Sequence, residues 1–527
     1  MNAGWLLQTF HVAGSPGAIF TQIATGLTLI ALVVLAATEL PRLVSWAREE
    51  RKAALSVASL MLAGVVIRFA APASQMDIHY RMSPAEGHVD LAQSPYGLAF
   101  TSVVRSIWWI TGPADASVHA FNLVVGTLSI GLVYALCRAL HTHVYAAVAA
   151  AALLAFNPTH VLFSHTDIQT ILEVALTLWG IVALISATGP QHRLIAGLAL
   201  GLAAVLRPEA IVVPLIAASA WALSQRKPGR WDGLLVVGLL LLLPSLGAWA
   251  GLALSGDSKT SAFVFNRFAR HGLSHFLFML PAWTHWLTPV GLVLALFAAP
   301  SRKTVVWAAL CALALSVLVP GFSVADLAHA GARHQIRAVP FAAIWAGIGL
   351  GWFVEWLEHR VSSAPAAACG LGVLATLPVI PYGIAPTSLS EEYGFVRDHI
   401  RQVPRTCQIV GYYGLAEKDK GLKPPMQLSR QAGLEHQWVD LGFDDLPAGC
   451  RVYYRGNHCF SAAPRQPLAL RQPDGRLLVG DPCRQFEAMY ELTPIATEEI
   501  VGRGHGTDYY PDDSVMEIGF FEIGTHR

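Results

Sequence analysis

The sequence predicts a mainly α-helical membrane protein: a polytopic bundle of about twelve transmembrane helices, followed by a soluble extracytoplasmic α/β domain. Of the 527 residues, 54% are hydrophobic and 13% are charged, which is about half the charged share of a soluble globular protein. The mean hydropathy is +0.48, and the apolar runs suit the ~20-residue spans that a hydrocarbon core of about 30 Å requires. From about residue 388 the composition returns to that of a soluble protein.

The same composition excludes several classes of protein. The shortage of charge excludes a water-soluble enzyme and a disordered scaffold. A formal net charge of +1 provides no basic field for a polyanion, so nucleic acid is not an expected partner. The chain has no phosphate loop of the G-x-x-x-x-G-K-[ST] type, so an ATP-driven pump has no support.

Apolar runs between charged breaks predict twelve crossings. They lie at about 17–40, 53–72, 118–139, 143–160, 167–187, 194–207, 210–225, 232–254, 281–299, 304–322, 338–357 and 364–384. The runs 194–207 and 210–225 are short and are separated by Arg207-Pro208-Glu209. They are interpreted as a broken pair inside the bundle or as a re-entrant hairpin.

Two pairs of glycines have helical spacing within apolar runs, Gly197 with Gly201 and Gly347 with Gly351. Because small residues let helix backbones approach closely in a membrane, both pairs are expected at helix–helix contacts.

Lysine and arginine in alternate loops predict the orientation of the bundle, since such loops are typically cytoplasmic. The residues are Arg42, Arg48, Arg51, Lys52, Arg138, Arg193, Arg226, Lys227, Arg230, Arg302, Lys303 and Arg360. No lysine or arginine precedes Arg42, so we expect the N-terminus outside, and an even number of crossings puts the C-terminal segment outside too. The predicted domains are a transmembrane domain at 1–387 and a soluble extracytoplasmic domain at 388–527.

The soluble segment contains an amphipathic stretch near 389–402 and β-rich runs at 407–413, 451–454 and 515–521, which predict an α/β fold. It also contains four cysteines, Cys407, Cys450, Cys459 and Cys483. In an extracytoplasmic domain these predict up to two disulfides. Three pairings are open, of which Cys407–Cys450 with Cys459–Cys483 is the simplest, and four unpaired thiols are the alternative. No C-x-x-C spacing points to zinc.

Candidate chemistry begins in the first outside loop, at about 73–117, which opens with Asp77 and Tyr80. Arg68 lies within the apolar run at the outer end of the preceding helix, and ionisable groups at that depth are usually functional or paired. Asp77 is a candidate general base or, alternatively, a solvated loop acid. The loop ends in an aromatic amphipathic stretch at 98–111, which suits the membrane interface.

The second outside loop delivers Asp167 to the start of the next helix, and Glu173 follows inside that helix. Two carboxylates from different loops can act as base and orienting partner, or can share a cation. The alternative for Asp167 is an N-cap or first-turn acid.

The third and fourth outside loops bring arginines to the outer headgroup level: Arg267 and Arg270, then Arg333 and Arg337. Arginine there suits recognition of a phosphate, with plain lipid-headgroup contact as the alternative. Histidines are numerous on this side, but without ligand spacing they are interpreted as polar loop residues, and no metal site is predicted.

In order and loop placement, these features resemble the GT-C superfamily of membrane glycosyltransferases, in the branch of protein O-mannosyltransferases and lipid A aminoarabinose transferases. The resemblance covers about residues 53–385. The matching residues are Arg68, Asp77 and Tyr80, Ser94-Pro95-Tyr96, Asn122 with Gly126, Pro158 before Asp167, Gly197-x-x-x-Gly201 before Arg207-Pro208-Glu209, and Arg333 to Pro340. One departure is Ile78 after Asp77, where many relatives have a second acid; Glu86 or Asp90 are possible substitutes.

The resemblance implies a glycosyltransferase that moves a sugar from a polyprenyl-phosphate donor to an acceptor hydroxyl at the extracytoplasmic face. Asp77 would be the catalytic base and Asp167 the second acid. Candidates for binding substrate or phosphate are Arg68, Tyr80, Arg267, Arg270, Arg333 and Arg337. No cofactor is required, although a divalent cation bridging the two acids is an option.

The implied partners are the sugar-bearing lipid, membrane lipids and a glycan, lipid or protein acceptor. The implied location is the bacterial cytoplasmic membrane. Two further hypotheses come from other classes of protein. The many helices and the broken pair suit a transporter or lipid flippase, although the acids cluster at one face and no internal repeat is visible. A non-catalytic assembly or lipid-binding protein, centred on the soluble segment, is the third.

Overall fold

The computed structural model describes two compact units, one helical and one of mixed α/β structure. The described residues are 16–71, 98–112, 114–140, 142–186, 189–206, 232–240, 284–298, 336–360, 388–412, 436–441, 449–460, 472–502 and 514–526. Those up to 360 belong to the helical unit and those from 388 to the α/β unit. The boundary between 387 and 388 stays a prediction, because residues 361–387 lie outside the described ranges.

The helical unit contains eleven α-helices among its described residues. All but the helix at 98–111, which was predicted as an amphipathic interfacial stretch, overlap the predicted apolar runs. They are α1 (Pro16–Glu49), α2 (Arg51–Ala70), α3 (Leu98–Thr111), α4 (Asp115–Ala139), α5 (Val144–Ala155), α6 (Pro158–Ser164), α7 (Thr170–Ser186), α8 (Pro190–Leu206), α9 (Asp232–Leu240), α10 (Leu287–Ala295) and α11 (Val339–Glu358). The predicted crossings at 210–225, 304–322 and 364–384, and the break at Arg207-Pro208-Glu209, lie outside the described residues.

Within the described residues, four helices are long and apolar enough to cross a membrane: α1, α2, α4 and α11. The bent pair α5–α6 adds a fifth if it is counted as one span, and α7 and α8 are shorter apolar helices. These helices support the predicted multi-pass membrane protein.

Two predicted boundaries need correction. The first crossing was expected to end at residue 40, but α1 continues through Pro41 to Glu49. The apolar run ends there while the helix does not, and Arg42 pairs with Glu39 one turn earlier at 2.9 Å. The crossing predicted at 143–160 is two helices bent by 58°. A second helix starts because Asn157 caps it and Pro158 occupies its first turn, positions that both residues favour.

The ends of the helices group as the loop charges predict. Glu50 bonds Arg138 at 3.3 Å, and Tyr145 bonds Glu358 at 3.3 Å, so helix ends from the predicted cytoplasmic loops lie together. The far end of α2, about 30 Å away along a 20-residue helix, meets the segment after α6.

Glycine brings α11 against α5, as the spacing of Gly347 and Gly351 predicts. A Cβ on Gly347 would come within 2.6 Å of Ala150 Cβ, and a Cβ on Gly351 within 2.7 Å of Ala146 Cβ. Such distances allow no side chain at either glycine without displacement of a helix. Gly197 has the same role on α8, where its added Cβ would lie 3.0 Å from Gly238 Cα.

The α/β unit is built on one mixed sheet. Its strands are β1 (Gln408–Gly411), β2 (Trp438–Asp440), β3 (Arg451–Arg455), β4 (Tyr490–Gly502) and β5 (Ser514–His526), in the order β2-β1-β3-β5-β4. The β1 strand is parallel to both neighbours, whereas β5 is antiparallel to β3 and β4. Helices α12 (Ser388–His399) and α13 (Asp481–Met489) accompany it.

Both expected disulfides are present, Cys407–Cys450 and Cys459–Cys483. This is the simplest of the three pairings, and the alternative of four unpaired thiols is wrong. The first joins the residue before β1 to the residue before β3, and the second joins the short 3-10 helix that follows β3 to α13.

Candidate active site

Arg68, near the C-terminal end of α2, is completely buried in the helical unit. All five of its guanidinium N–H groups are used. The acceptors are Ser164 Oγ at 3.2 Å, His160 Nδ1 at 2.7 Å, and the carbonyls of Gly64, Leu154 and Ala155 at 3.1, 3.4 and 3.2 Å. Two of these carbonyls end α5, where backbone acceptors lack partners within the helix and a cation is favourable. Because no N–H is left for a phosphate, the geometry supports a structural role for Arg68 rather than the expected phosphate contact.

Two glycines make room for this guanidinium. A Cβ on Gly64 would lie 3.0 Å from Arg68 Nη1 and 2.5 Å from Ile130 Cδ1, and a Cβ on Gly126 would overlap the Ser164 side chain. The glycine at 126, quoted above for the family resemblance, therefore allows α4 and α6 to meet beside Arg68.

A short non-helical segment, 165–169, connects α6 to α7 and carries Asp167. His165 donates from Nδ1 to the carbonyl of Ala71 at 2.6 Å, which ties this segment to the end of α2. Asp167 lies three residues before the first residue of α7, so it is in neither the cap nor the first turn. The N-cap interpretation of Asp167 therefore does not fit the structure.

Asn122 of α4 holds the backbone on both sides of Asp167. Its side chain is fully buried, and Nδ2 donates to the carbonyl of Thr166 at 2.7 Å and to that of Ile168 at 2.9 Å. Both N–H bonds of the amide are thereby used. Asp167 is itself only 1% exposed, so its carboxylate is held inside the protein on a fixed backbone.

A second acid lies one turn into α7. Glu173 is 1% exposed and accepts from Arg337 Nε, which lies 2.8 Å from each carboxylate oxygen. This buried ion pair connects α7 to the residues just before α11. Arg337, expected to meet a phosphate, thus has Glu173 as a neighbour of opposite charge; its phosphate role stays a prediction.

The other sequence-predicted site residues lie outside the described part of the chain. They are Asp77, Tyr80, Arg267, Arg270 and Arg333. The structure therefore brings Asp167 together with Asn122 at one helix end, and Arg337 with Glu173, while the expected pairing of Asp77 with Asp167 stays a prediction.

Two partners were not assigned a role by sequence reasoning. Asn122 was quoted only as a feature of the resemblance, and Glu173 only as an acid inside a helix. A buried amide and a buried carboxylate in apolar runs are the signal that identifies both, since polar groups at such positions need partners.

No group of three or more His, Cys, Asp or Glu side chains is placed to hold a metal among the residues the structure describes. His160 accepts a hydrogen bond from Arg68 through Nδ1, so this nitrogen is already used within the protein.

Solved structures share the fold of this chain. The chain is similar to ArnT from Cupriavidus metallidurans in the apo state, with a TM-score of 0.52 and 11% identity over 88% of this chain and 97% of that one. The same protein bound to undecaprenyl phosphate gives a TM-score of 0.53 and 13% identity over the same shares. The chain therefore has the same fold as ArnT.

A protein-family model also matches part of the chain. Residues 95–249 match the family described as dolichyl-phosphate-mannose-protein mannosyltransferase. The resemblance to the GT-C superfamily predicted from the sequence is thus confirmed, and so is the predicted fold class. A third structure, the Archaeoglobus fulgidus oligosaccharyltransferase in the apo form, has 13% identity over 76% of this chain and 66% of that one. Its TM-score of 0.45 is too low to define a shared fold. No curated protein matches the chain in sequence.

Proposed function

We propose that this chain transfers a sugar from a polyprenyl-phosphate donor to an acceptor hydroxyl at the extracytoplasmic face of the membrane. The observation that carries the proposal is Asp167, a carboxylate 1% exposed that Asn122 holds by the backbone on both sides, within a GT-C fold. Undecaprenyl phosphate bound to ArnT supports a lipid phosphate as the carrier.

The chemistry divides between acids and arginines. An acceptor hydroxyl attacks the anomeric carbon as a carboxylate takes its proton, and we assign this base to Asp77. Asp167 is the second acid, which orients the acceptor or the base. The bond between the sugar and its phosphate breaks in the same step. The departing phosphate needs positive charge, for which Arg333 and Arg337 are the candidates, with Tyr80, Arg267 and Arg270 in support.

The test is to replace each acid by its amide in the full-length protein. Asp77→Asn and Asp167→Asn should each lower transfer by about 10²- to 10⁴-fold, the usual contribution of a general base, while thermal unfolding in detergent stays near that of the wild type. The control is Asp474→Asn, an exposed acid of the α/β unit, which should leave transfer unchanged.

Full transfer by Asp77→Asn would exclude the assigned base. Movement of the lipid across sealed vesicles without a new glycosidic bond would instead support the transporter or flippase.

We further propose that no metal is required, because arginine alone can neutralise a monophosphate leaving group. Transfer should then survive treatment with EDTA. Loss of transfer with EDTA, restored by a divalent cation, would support an ion shared by Asp77 and Asp167 instead.

A further inference from the structure

Gln169 is a buried amide without a hydrogen-bond partner among the described residues. It lies in the segment between α6 and α7, two residues after Asp167, and its side chain has no solvent exposure. Neither Oε1 nor Nε2 has a partner among the residues that the structure describes. An amide offers two donors and an acceptor oxygen, and leaving a buried polar group unsatisfied destabilises the folded protein. Groups of this kind are rare, and each calls for an explanation other than stability.

In the described structure, further unpartnered atoms lie on Asn122, which bonds the backbone of this segment, and on His160 of the helix that precedes it. Asn122 uses both N–H bonds on the backbone around Asp167, but its Oδ1 is buried and without a partner in the described structure. His160 of α6 accepts through Nδ1, and its Nε2 is likewise unpartnered there. Within the described residues, unsatisfied polar atoms therefore lie on both sides of Asp167 in sequence and on the helix whose Asn122 bonds the backbone around it.

We infer that the Gln169 amide binds hydroxyl groups of the sugar carried by the lipid donor; this inference rests on the proposed function. The amide oxygen needs a donor and the amide nitrogen needs an acceptor. A phosphate ester at neutral pH presents only acceptors, so it satisfies Nε2 and leaves Oε1 unpaired. Sugar hydroxyls both donate and accept, and two adjacent hydroxyls match both atoms of one amide.

The burial of Gln169 suits this role. Water competes with the acceptor for an activated sugar, so the sugar has to be enclosed where transfer takes place. A fully buried amide two residues from a buried carboxylate contacts a sugar only when the sugar is inside the protein.

The decisive variant is Gln169→Met, which keeps an unbranched side chain of similar length and removes both polar atoms. Because no protein hydrogen bond is lost, its Tm should equal or exceed that of the wild type. Affinity for the sugar-bearing lipid should fall about tenfold, which corresponds to about 1.4 kcal/mol. The matched control is Thr177→Val on α7, whose Oγ1 is also buried and unpartnered in the described structure but lies about two turns further along. It should leave the affinity for the sugar-bearing lipid unchanged and, by the same reasoning, should not lower the Tm.

Binding is measured on the full-length protein in detergent, with dolichyl phosphate alone and dolichyl phosphate bearing mannose, glucose or galactose. We expect the wild type to bind at least one sugar-bearing lipid more tightly than dolichyl phosphate. Gln169→Met should lose that difference and still bind dolichyl phosphate as the wild type does. Gln169→Leu should behave in the same way and provides the measurement if the methionine variant does not fold.

Three results would overturn the inference. If the variants keep the preference for the sugar-bearing lipid, the Gln169 amide does not bind the sugar, while the proposed function stands. A lower Tm in both variants shows that the amide has a structural partner, such as a bound water. If the wild type binds all four lipids alike, the proposed donor class fails as well.

Discussion

At the residue scale, one amide fixes the position of one carboxylate. Asn122 donates to the carbonyls of the residues immediately before and after Asp167, so the backbone that carries the acid cannot rotate without loss of both hydrogen bonds. A displacement of about 1 Å at a reacting group can cost about 10²-fold in rate. Asn122 is therefore a positioning residue for the proposed reaction.

Asn122→Asp tests this role, since it keeps the shape of the side chain and removes both donors. Oxygen atoms would then face the carbonyls of Thr166 and Ile168, so we expect a lower Tm and a fall in kcat of tenfold or more, with the donor KM little changed. Ser129→Ala is the control, because Ser129 lies on the same helix and its hydroxyl bonds only the Val125 carbonyl. If the Asn122→Asp variant has a lower Tm but an unchanged kcat, Asn122 has only a structural role.

These contacts also mark the limit of what the sequence predicts. Asp167 was identified from the order of loops and helices, which is a local pattern. Its clamp joins residues 44 and 46 positions apart, and Arg68 takes acceptors up to 96 positions away. Such partners depend on how helices pack, so the sequence indicated that Arg68 needed partners without naming them.

At the element scale, apolar runs predicted the helices because each crossing must contain its own hydrogen bonds in lipid. The bend between α5 and α6 was missed, since apolar residues continue across it while Asn157 and Pro158 start a new helix. In the α/β unit, strands β1, β3 and β5 were predicted from β-rich runs. The strand β4 was not, because it lies at the sheet edge and most of its residues are at least partly exposed, which weakens the apolar alternation.

The contact between α5 and α11 gives a prediction at this scale. Gly351→Leu should lower the Tm in detergent by an amount that corresponds to about 1–3 kcal/mol, because a Cβ there already comes within 2.5 Å of Ala146 Cα. It should also reduce transfer, since α5 ends at the Arg68 network and Arg337 lies just before α11. Gly26→Leu on α1 is the matched control, as nothing lies within 4 Å of an added Cβ there. Equal Tm values for both variants would contradict this close packing.

At the scale of the whole molecule, the described cysteines of the two units differ in oxidation state. Cys137, in α4, is buried and free, whereas the four cysteines of the α/β unit form two disulfides. Disulfides persist in oxidising compartments and are rare in the cytosol. The pairing therefore supports the predicted extracytoplasmic location of this unit.

Peptide mapping under non-reducing conditions, on protein taken from alkylated membranes, tests this arrangement. We expect peptides that join Cys407 to Cys450 and Cys459 to Cys483, and an alkylated thiol at Cys137 once the protein is denatured. Each disulfide closes a loop of 43 or 24 residues, so replacing both cysteines of a pair by alanine should cost the α/β unit about 3 to 4 kcal/mol. Because the disulfides lie only within the α/β unit, which is compact by itself, the loss of stability should appear as a separate, earlier unfolding transition. The transition of the helical unit should stay unchanged. Complete alkylation of all four cysteines without reduction would show reduced thiols, and the extracytoplasmic assignment of residues 388–527 would then be wrong.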